Sequence, residues 1–330
     1  MTIATTRRPT VAPAVAPKLP GLYNEKPKPN QEKRKDRTMS DIITERKSQR
    51  IDWNGLWKET HGDPDRANNI EFWNSFAPKF RKKTDGPDPY IEKFYEYMNP
   101  KPGDTLFDMG CGSGTLAIPF AQKGHEIYAA DFSPEMLKYL RIGAEEAGVS
   151  DRIHTIQLNW NEDWSSRELP ECDIAFSSRS IITTDLTQAL RNLESVATRK
   201  ICMGVWDTPV SDYDRYVAKA IGYERPGIGP HYIVMGELMD RDVFPEMRIL
   251  YSPFRNSKYS DREDACSKIR ASFNELTKDQ SEKLEKYLEE HLVYHEAKDE
   301  HVGKVMDGYW SLNHDDMNTI AFISWEKRNV

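Results

Sequence analysis

"FDMGCGSGT", residues 107–115, sets Gly110, Gly112 and Gly114 at every second position behind an apolar run that contains Asp108. "TLFDM" reads as a strand and "TLAIPFAQKG" as a helix closed by Gly124, so the glycine loop sits at the carboxyl end of a strand. Open α/β sheets bind their ligands there, at the switch point in strand order. The dinucleotide fingerprint is GxGxxG, and Thr115 stands where that pattern wants its third glycine. An acid follows at Asp131, closing the apolar run "EIYAAD" 21 positions past Gly110. Its carboxylate can accept hydrogen bonds from both hydroxyls of a ribose, or serve only to cap the next helix.

Strand and helix patterns alternate on either side of this stretch. Ser133 as N-cap, Pro134 at the first helical position, Leu137, Leu140, Ala144 and Ala147 on one face, and Gly148 past the end predict one helix. "RIHTIQLNW" and "CDIAFSS" are the third and fourth strands, "DLTQALRNLESVA" a helix, and "KICMGVW" the fifth strand. Short β-rich runs separated by helices imply parallel strands with right-handed crossovers, hence an α/β fold with a doubly wound, mostly parallel sheet.

The pattern of DxGxGxG after the first strand, with an acid ending the second, resembles the S-adenosyl-L-methionine site of class I, Rossmann-like methyltransferases. The resemblance covers residues 70 to 206 and, less fully, the final strand, which in that family runs antiparallel. It implies that Asp108, Gly110, Cys111, Gly112 and Gly114 line the methionine end, with Asp131 on the ribose and Phe132 and Met136 flanking the adenine. The family often places an acid after the third strand to meet the adenine amine; Asn159 and Trp160 stand there instead, and an asparagine carbonyl accepts the same bond without charge. "SSRS", Ser177 to Ser180, occupies the place where the family's cofactor and acceptor meet. Met136 and Trp160 fit a core role as well as a binding one. "FWNSFAPKF" and "SRS" also resemble a group of prokaryotic small-molecule methyltransferases.

The flanks differ in texture from this core. Residues 1–47 are rich in Pro, Lys and Arg and almost free of aromatics, the composition of a disordered basic tail. Residues 48–100 concentrate aromatics, with Phe72, Trp73, Phe76 and Phe80, and Ile91, Phe94, Tyr95 and Met98, at helical spacing, and are expected to form a helical lid. Residues 101–207 form the cofactor-binding core, 208–316 a helical cap inserted before the last strand, and 317–330 that last strand. Within the cap, Ser260 with Glu263 and Thr277 with Gln280 fit the capping box, and "MRILYSPF" is strand-like.

Composition narrows the function. Residues 1–50 hold twelve Lys and Arg against five Asp and Glu, so the net charge of −7 leaves the remainder strongly acidic. An acidic body lacks the clustered cations that a nucleic-acid surface needs. No run reaches the roughly 18 apolar residues of a membrane span. Cys111, Cys172, Cys202 and Cys266 are scattered without CxxC spacing or nearby histidines, so reduced thiols, a cytoplasmic setting and no metal site are expected.

The expected activity is methyl transfer from S-adenosyl-L-methionine, leaving S-adenosyl-L-homocysteine, to an O, N, S or C nucleophile of a small-molecule acceptor by in-line displacement. The NPPY-type tetrapeptide of the family's amide and base N-methyltransferases is missing. Alternatives are an RNA or tRNA methyltransferase that uses the basic tail, and a non-catalytic cofactor-binding protein. A nicotinamide oxidoreductase is disfavoured by Thr115. A general base is optional; candidates are Asp207, Tyr213, His231, Tyr232 and His314.

Overall fold

The computed structural model describes residues 50–61, 69–80, 88–206, 215–224, 228–254, 258–273, 275–296, 298–300, 304–306, 308–314 and 316–327. Residues 1–47, expected to be a disordered tail, lie outside the described residues. Residues Asp52–Val330 form one compact unit.

The glycine loop follows β1 (Thr105–Met109) and precedes α4 (Ala117–Gln122), as the alternating pattern predicts. Ahead of them lie α1 (Trp53–Thr60), α2 (Ile70–Phe80) and α3 (Pro89–Met98). Next come β2 (Glu126–Asp131), α5 (Pro134–Glu146), β3 (Ile153–Gln157), β4 (Cys172–Ser178), α6 (Leu186–Val196) and β5 (Ala197–Trp206). The chain continues through α7 (Arg215–Ile221), α8 (Pro230–Asp240), β6 (Glu246–Phe254), α9 (Arg262–Ala271) and α10 (Lys278–His291). Four short strands, β7 (Leu292–His295), β8 (Lys298–Glu300), β9 (Lys304–Met306) and β10 (Tyr309–Leu312), lead to β11 (Asp316–Glu326).

Among the described residues the central sheet has the order β3-β2-β1-β4-β5-β11-β6. The pairs from β3 to β5 are parallel, and β11 runs antiparallel to both β5 and β6. The chain therefore winds outward from β1 to β3 and returns beside β1 as β4, which puts a switch point directly above the glycine loop. This is the doubly wound Rossmann-like fold of class I methyltransferases with its reversed last strand. The sheet also draws β6 from the span assigned to the cap, its apolar run being long enough to form the edge strand.

Each face of the sheet carries a core. On one, Trp57 of α1, Leu190 and Leu193 of α6, and Ile233 and Leu238 of α8 pack on Phe107, Ala175 and Ile323. On the other, Phe94 of α3, Phe120 of α4 and Leu140 of α5 cover Leu106, Ile127, Phe176 and Phe322. Such apolar burial on both faces is what holds a parallel sheet. A third cluster joins Val217 and Ile221 of α7 to Cys266 and Ile269 of α9 and Leu284 and Leu288 of α10.

Local signals set the helix ends. Ser133 Oγ accepts from the backbone N–H of Met136 at 3.1 Å with Pro134 in the first turn, so α5 starts where the sequence places it. Thr277 and Gln280 form the expected capping box at α10. At α9 the cap is Asp261 rather than Ser260: its carboxylate takes the Asp264 N–H at 2.7 Å, and a charged acceptor is the stronger cap for an exposed amide.

Candidate active site

A cavity of about 380 Å³ opens above the carboxyl ends of β1, β2, β4 and β5. Its walls include Asp108, Gly110, Cys111, Gly112, Asp131, Phe132, Met136, Asn159 and Trp160, nine of the eleven residues that the family pattern selects. Gly114 and Ser177 are not in the wall. A side chain at Gly114 would meet Ile118 and Leu140, so this glycine lets α4 approach α5. Ser177 is buried beneath the wall, its Oγ 2.8 Å from Ser180 Oγ.

The glycine loop is held rigidly. Backbone N–H groups of Gly110 and Cys111 both donate to Ala130 O, at 2.7 and 3.0 Å. The Gly112 N–H donates to Asp131 Oδ2 at 2.9 Å, and Oδ1 of the same carboxylate takes the Ser133 N–H, also at 2.9 Å. Asp131 thus fixes the turn into α5 and also lines the cavity. Gly110 has φ of +75° and a Cβ there would overlap Ser180 Oγ and Cβ, so only glycine fits. Gly112, with φ of +54°, has nothing within 4 Å of its Cβ direction: the wall is bare where a ligand would lie close to backbone.

Electrostatics at this end suit a cation. Burial pushes the Asp108 carboxyl well above the usual range, and the Asp131 charge beside it adds to the rise. Asp131 is also raised by burial, opposed by its bonds from the Ser133, Gly112 and Phe132 backbone. A cation between them favours the ionised forms. The Cys111 thiol is pushed far up by burial and by both aspartates, so it stays protonated and is no nucleophile.

Met136 and Trp160 belong to the core and to the wall at once, each almost fully buried and each lining the cavity. The Trp160 indole N–H donates to Ser180 O at 2.8 Å, tying the third-strand loop to the fourth. Asn159 uses its Oδ1 to accept from the Asn161 N–H at 2.9 Å and its backbone O to accept from Trp164.

The cavity wall also holds residues outside the eleven selected: Trp73, Met109, Thr115, Leu116, Ser178, Arg179, Ser180, Ile182 and Trp206. Three of them, Ser178, Arg179 and Ser180, belong to the "SSRS" segment that the resemblance singles out. Trp73 comes from α2, the helix whose Asn74 Oδ1 accepts from Ser133 Oγ at 2.7 Å.

Among the described residues, none of the catalytic candidates lines the cavity. His231 is buried on α8 with its ring 4.1 Å from that of Tyr232, and Tyr232 itself points outward at 61% exposure. Both sit on a helix that packs on one face of the sheet, and neither lines the cavity. His314 packs beside Tyr216 and Tyr287, and Asp207 and Tyr213 lie outside the described residues. The described part of 208–316 supplies no wall residue, because its apolar side chains satisfy one another in the third cluster or pack on the sheet.

Residues 106–200 match the family model described as "Methyltransferase domain". This segment is a class I methyltransferase domain, and the chain is a methyltransferase that depends on S-adenosylmethionine. Over 221 residues the chain is 25% identical to an uncharacterized protein of Haemophilus influenzae, an alignment covering 66% of this chain and 80% of that one. A tRNA (guanine(37)-N(1))-methyltransferase of Leishmania major is 42% identical, but over 45 residues only, 14% of this chain and 7% of that protein. Among solved structures, magnesium protoporphyrin IX methyltransferase from Synechocystis is 18% identical, with a TM-score of 0.41 over 58% of this chain and 91% of that one. The sheet order, rather than that likeness, carries the fold of the methyltransferase described here. No helix among the described residues is long and apolar enough to cross a membrane.

Proposed function

We propose that the chain methylates a small molecule that enters the same cavity as the cofactor and is enclosed by Trp73, Ile182, Arg179 and Trp206. The observation that carries this reading is the continuity of one cavity from Asp131 at the end of β2 to Trp206 at the end of β5. In this reading Asp131 holds the ribose hydroxyls, Phe132, Met136 and Asn159 surround the adenine, and Asp108 lies toward the cationic end of the methionine. A methyl sulfonium supplies the electrophile: the new bond to the acceptor forms as the carbon–sulfur bond breaks, the electron pair passing to sulfur and cancelling its charge. The chain's own contribution is alignment and exclusion of water by aromatic walls, which suffices for an in-line displacement.

The acidic body supports a small acceptor over RNA, since a polyanion would meet a surface of like charge. The tRNA-methyltransferase alignment spans only 45 residues, 7% of that protein, and carries no acceptor over to this chain. The test is transfer of labelled methyl from S-adenosylmethionine into a metabolite extract, against total RNA as the alternative acceptor. Label in a small-molecule fraction is expected; label in RNA alone overturns the reading, and label in neither favours a non-catalytic binder.

A further inference from the structure

Arg179 is the one cation among the described residues of the cavity wall, and its setting is unusual in three independent ways. Its backbone is left-handed, with φ of +57°, a conformation that costs a non-glycine residue about 1 kcal/mol. The strain is held in place from every side: the Arg179 N–H donates to Gly204 O at 2.7 Å, Ser180 Oγ donates to Met109 O at 2.9 Å, and Tyr90 Oη lies 2.6 Å from Ser178 Oγ. Second, its guanidinium lies over the Tyr90 ring, 4.4 Å from the centroid, and that ring reaches its place because residue 204 is glycine; a Cβ there would crowd Tyr90 Oη and Phe94. Third, no carboxylate among the described residues forms an ion pair with Arg179. Arg179 is partly exposed and shares the cavity wall with Trp73, Ile182 and Trp206, so an anion that enters the cavity meets it as the one cation among the described wall residues, and the stacked ring answers its charge only in part.

Resting on the function proposed above, we infer that Arg179 binds an anionic oxygen group, carboxylate or phosphate, on an otherwise apolar methyl acceptor. Two ligands bring such a group to this cavity: the acceptor, and the cofactor through its own carboxylate. Position favours the acceptor. Asp108 and Asp131, which attract the cofactor's positive charge, stand at the ends of β1 and β2, whereas Arg179 is fastened to β5 through Gly204 and to α3 through Tyr90. Its planar fork also matches either oxyanion in a bidentate pair, which would hold the acceptor in one orientation toward the methyl group.

The probes are 2-naphthoate and 2-naphthyl phosphate with 2-naphthamide as the uncharged counterpart, titrated against the full chain saturated with S-adenosylhomocysteine and followed by ligand-observed NMR. At least one anion is expected to bind about tenfold or more tighter than the amide, and Arg179→Gln to erase that difference while S-adenosylhomocysteine affinity stays within about twofold. Arg179→Gly, which suits the left-handed backbone, is the folding control and is expected to melt within about 3 °C of the wild type or above it. Equal binding of anions and amide by the wild type overturns the inference. So does a tenfold or greater loss of S-adenosylhomocysteine affinity in both Arg179 variants, which would assign the guanidinium to the cofactor carboxylate. Failure of the wild type to bind S-adenosylhomocysteine at all is a separate result, and it removes the proposed function together with this inference.

Discussion

The two ends of the cavity are built on different principles. At the β1–β2 end the backbone of the loop is tied within the chain: Asp131 takes two backbone N–H groups, Ala130 O takes two more, and the glycines leave bare backbone. At the β4–β5 end the walls are Trp73, Ile182 and Trp206, with a single cation stacked on Tyr90. The first end is a mould of fixed backbone with two buried carboxyls. The second is a greasy enclosure with one unanswered charge, the form of a site whose ligand supplies the missing polar partner.

The sharpest way to break this contrast is Asp131→Ala. It strips the Gly112 and Ser133 N–H groups of their acceptor and, on the proposed function, removes that of the ribose hydroxyls, so S-adenosylhomocysteine affinity is expected to fall on the order of a hundredfold, measured by calorimetry. Asp131→Asn keeps one carbonyl oxygen and should fall less. Equal affinity in both variants and the wild type would mean that the moulded end holds nothing.

Next in size is Gly110→Ala, whose methyl group would overlap Ser180 and must adopt a φ of +75°. A loss of about 2 kcal/mol in stability is expected from denaturant unfolding. An unchanged midpoint would show that the "SSRS" segment is not clamped onto the loop.

The pH dependence follows from the raised carboxyls. Asp108 has an ordinary value of 3.8 in the unfolded chain and a higher one when folded. Its contribution to stability is therefore complete below the unfolded value and is lost as pH rises through the folded one. Binding a cation reverses the preference, since it favours the ionised carboxylate. S-adenosylhomocysteine affinity should accordingly weaken on acidification, with a limiting slope of about tenfold per pH unit for one proton. A flat profile would place the ligand's ammonium elsewhere.

The smallest effect belongs to Tyr232→Phe. The side chain is 61% exposed and outside the cavity, so neither S-adenosylhomocysteine affinity nor the melting temperature should change measurably. A clear loss in cofactor affinity would reopen α8 as part of the site.

The same contrast explains what could be read from sequence. The moulded end depends on backbone conformation, and backbone conformation leaves local marks: glycines at 110 and 112, an acid at 131, a Ser-Pro helix start at 133. Those marks carry the resemblance that selects nine of the wall residues, and the alternating pattern around them gives the parallel half of the sheet. The enclosing end depends on side chains gathered from α2, β5 and the loop after β4, and no local spacing relates Trp73 to Arg179 or Trp206. Histidines drew attention there because their chemistry is versatile, yet His231 and His314 follow the packing of their own helices and clusters. Arg179 was legible only as part of "SRS"; its left-handed backbone depends on Gly204 and Tyr90, which are distant in sequence. β6 illustrates the same limit at the level of fold, since its place beside β11 is set by pairing across some sixty residues rather than by its own composition.

A calorimetric titration of S-adenosylhomocysteine, with NAD as the competing nucleotide, into the wild type and Gly112→Val tests the central claim most directly. Binding of S-adenosylhomocysteine at one site, no binding of NAD, and loss of S-adenosylhomocysteine binding in a Gly112→Val protein that remains folded are the predicted results. Binding of NAD, or undiminished S-adenosylhomocysteine affinity with a valine against the bare wall at residue 112, would contradict it.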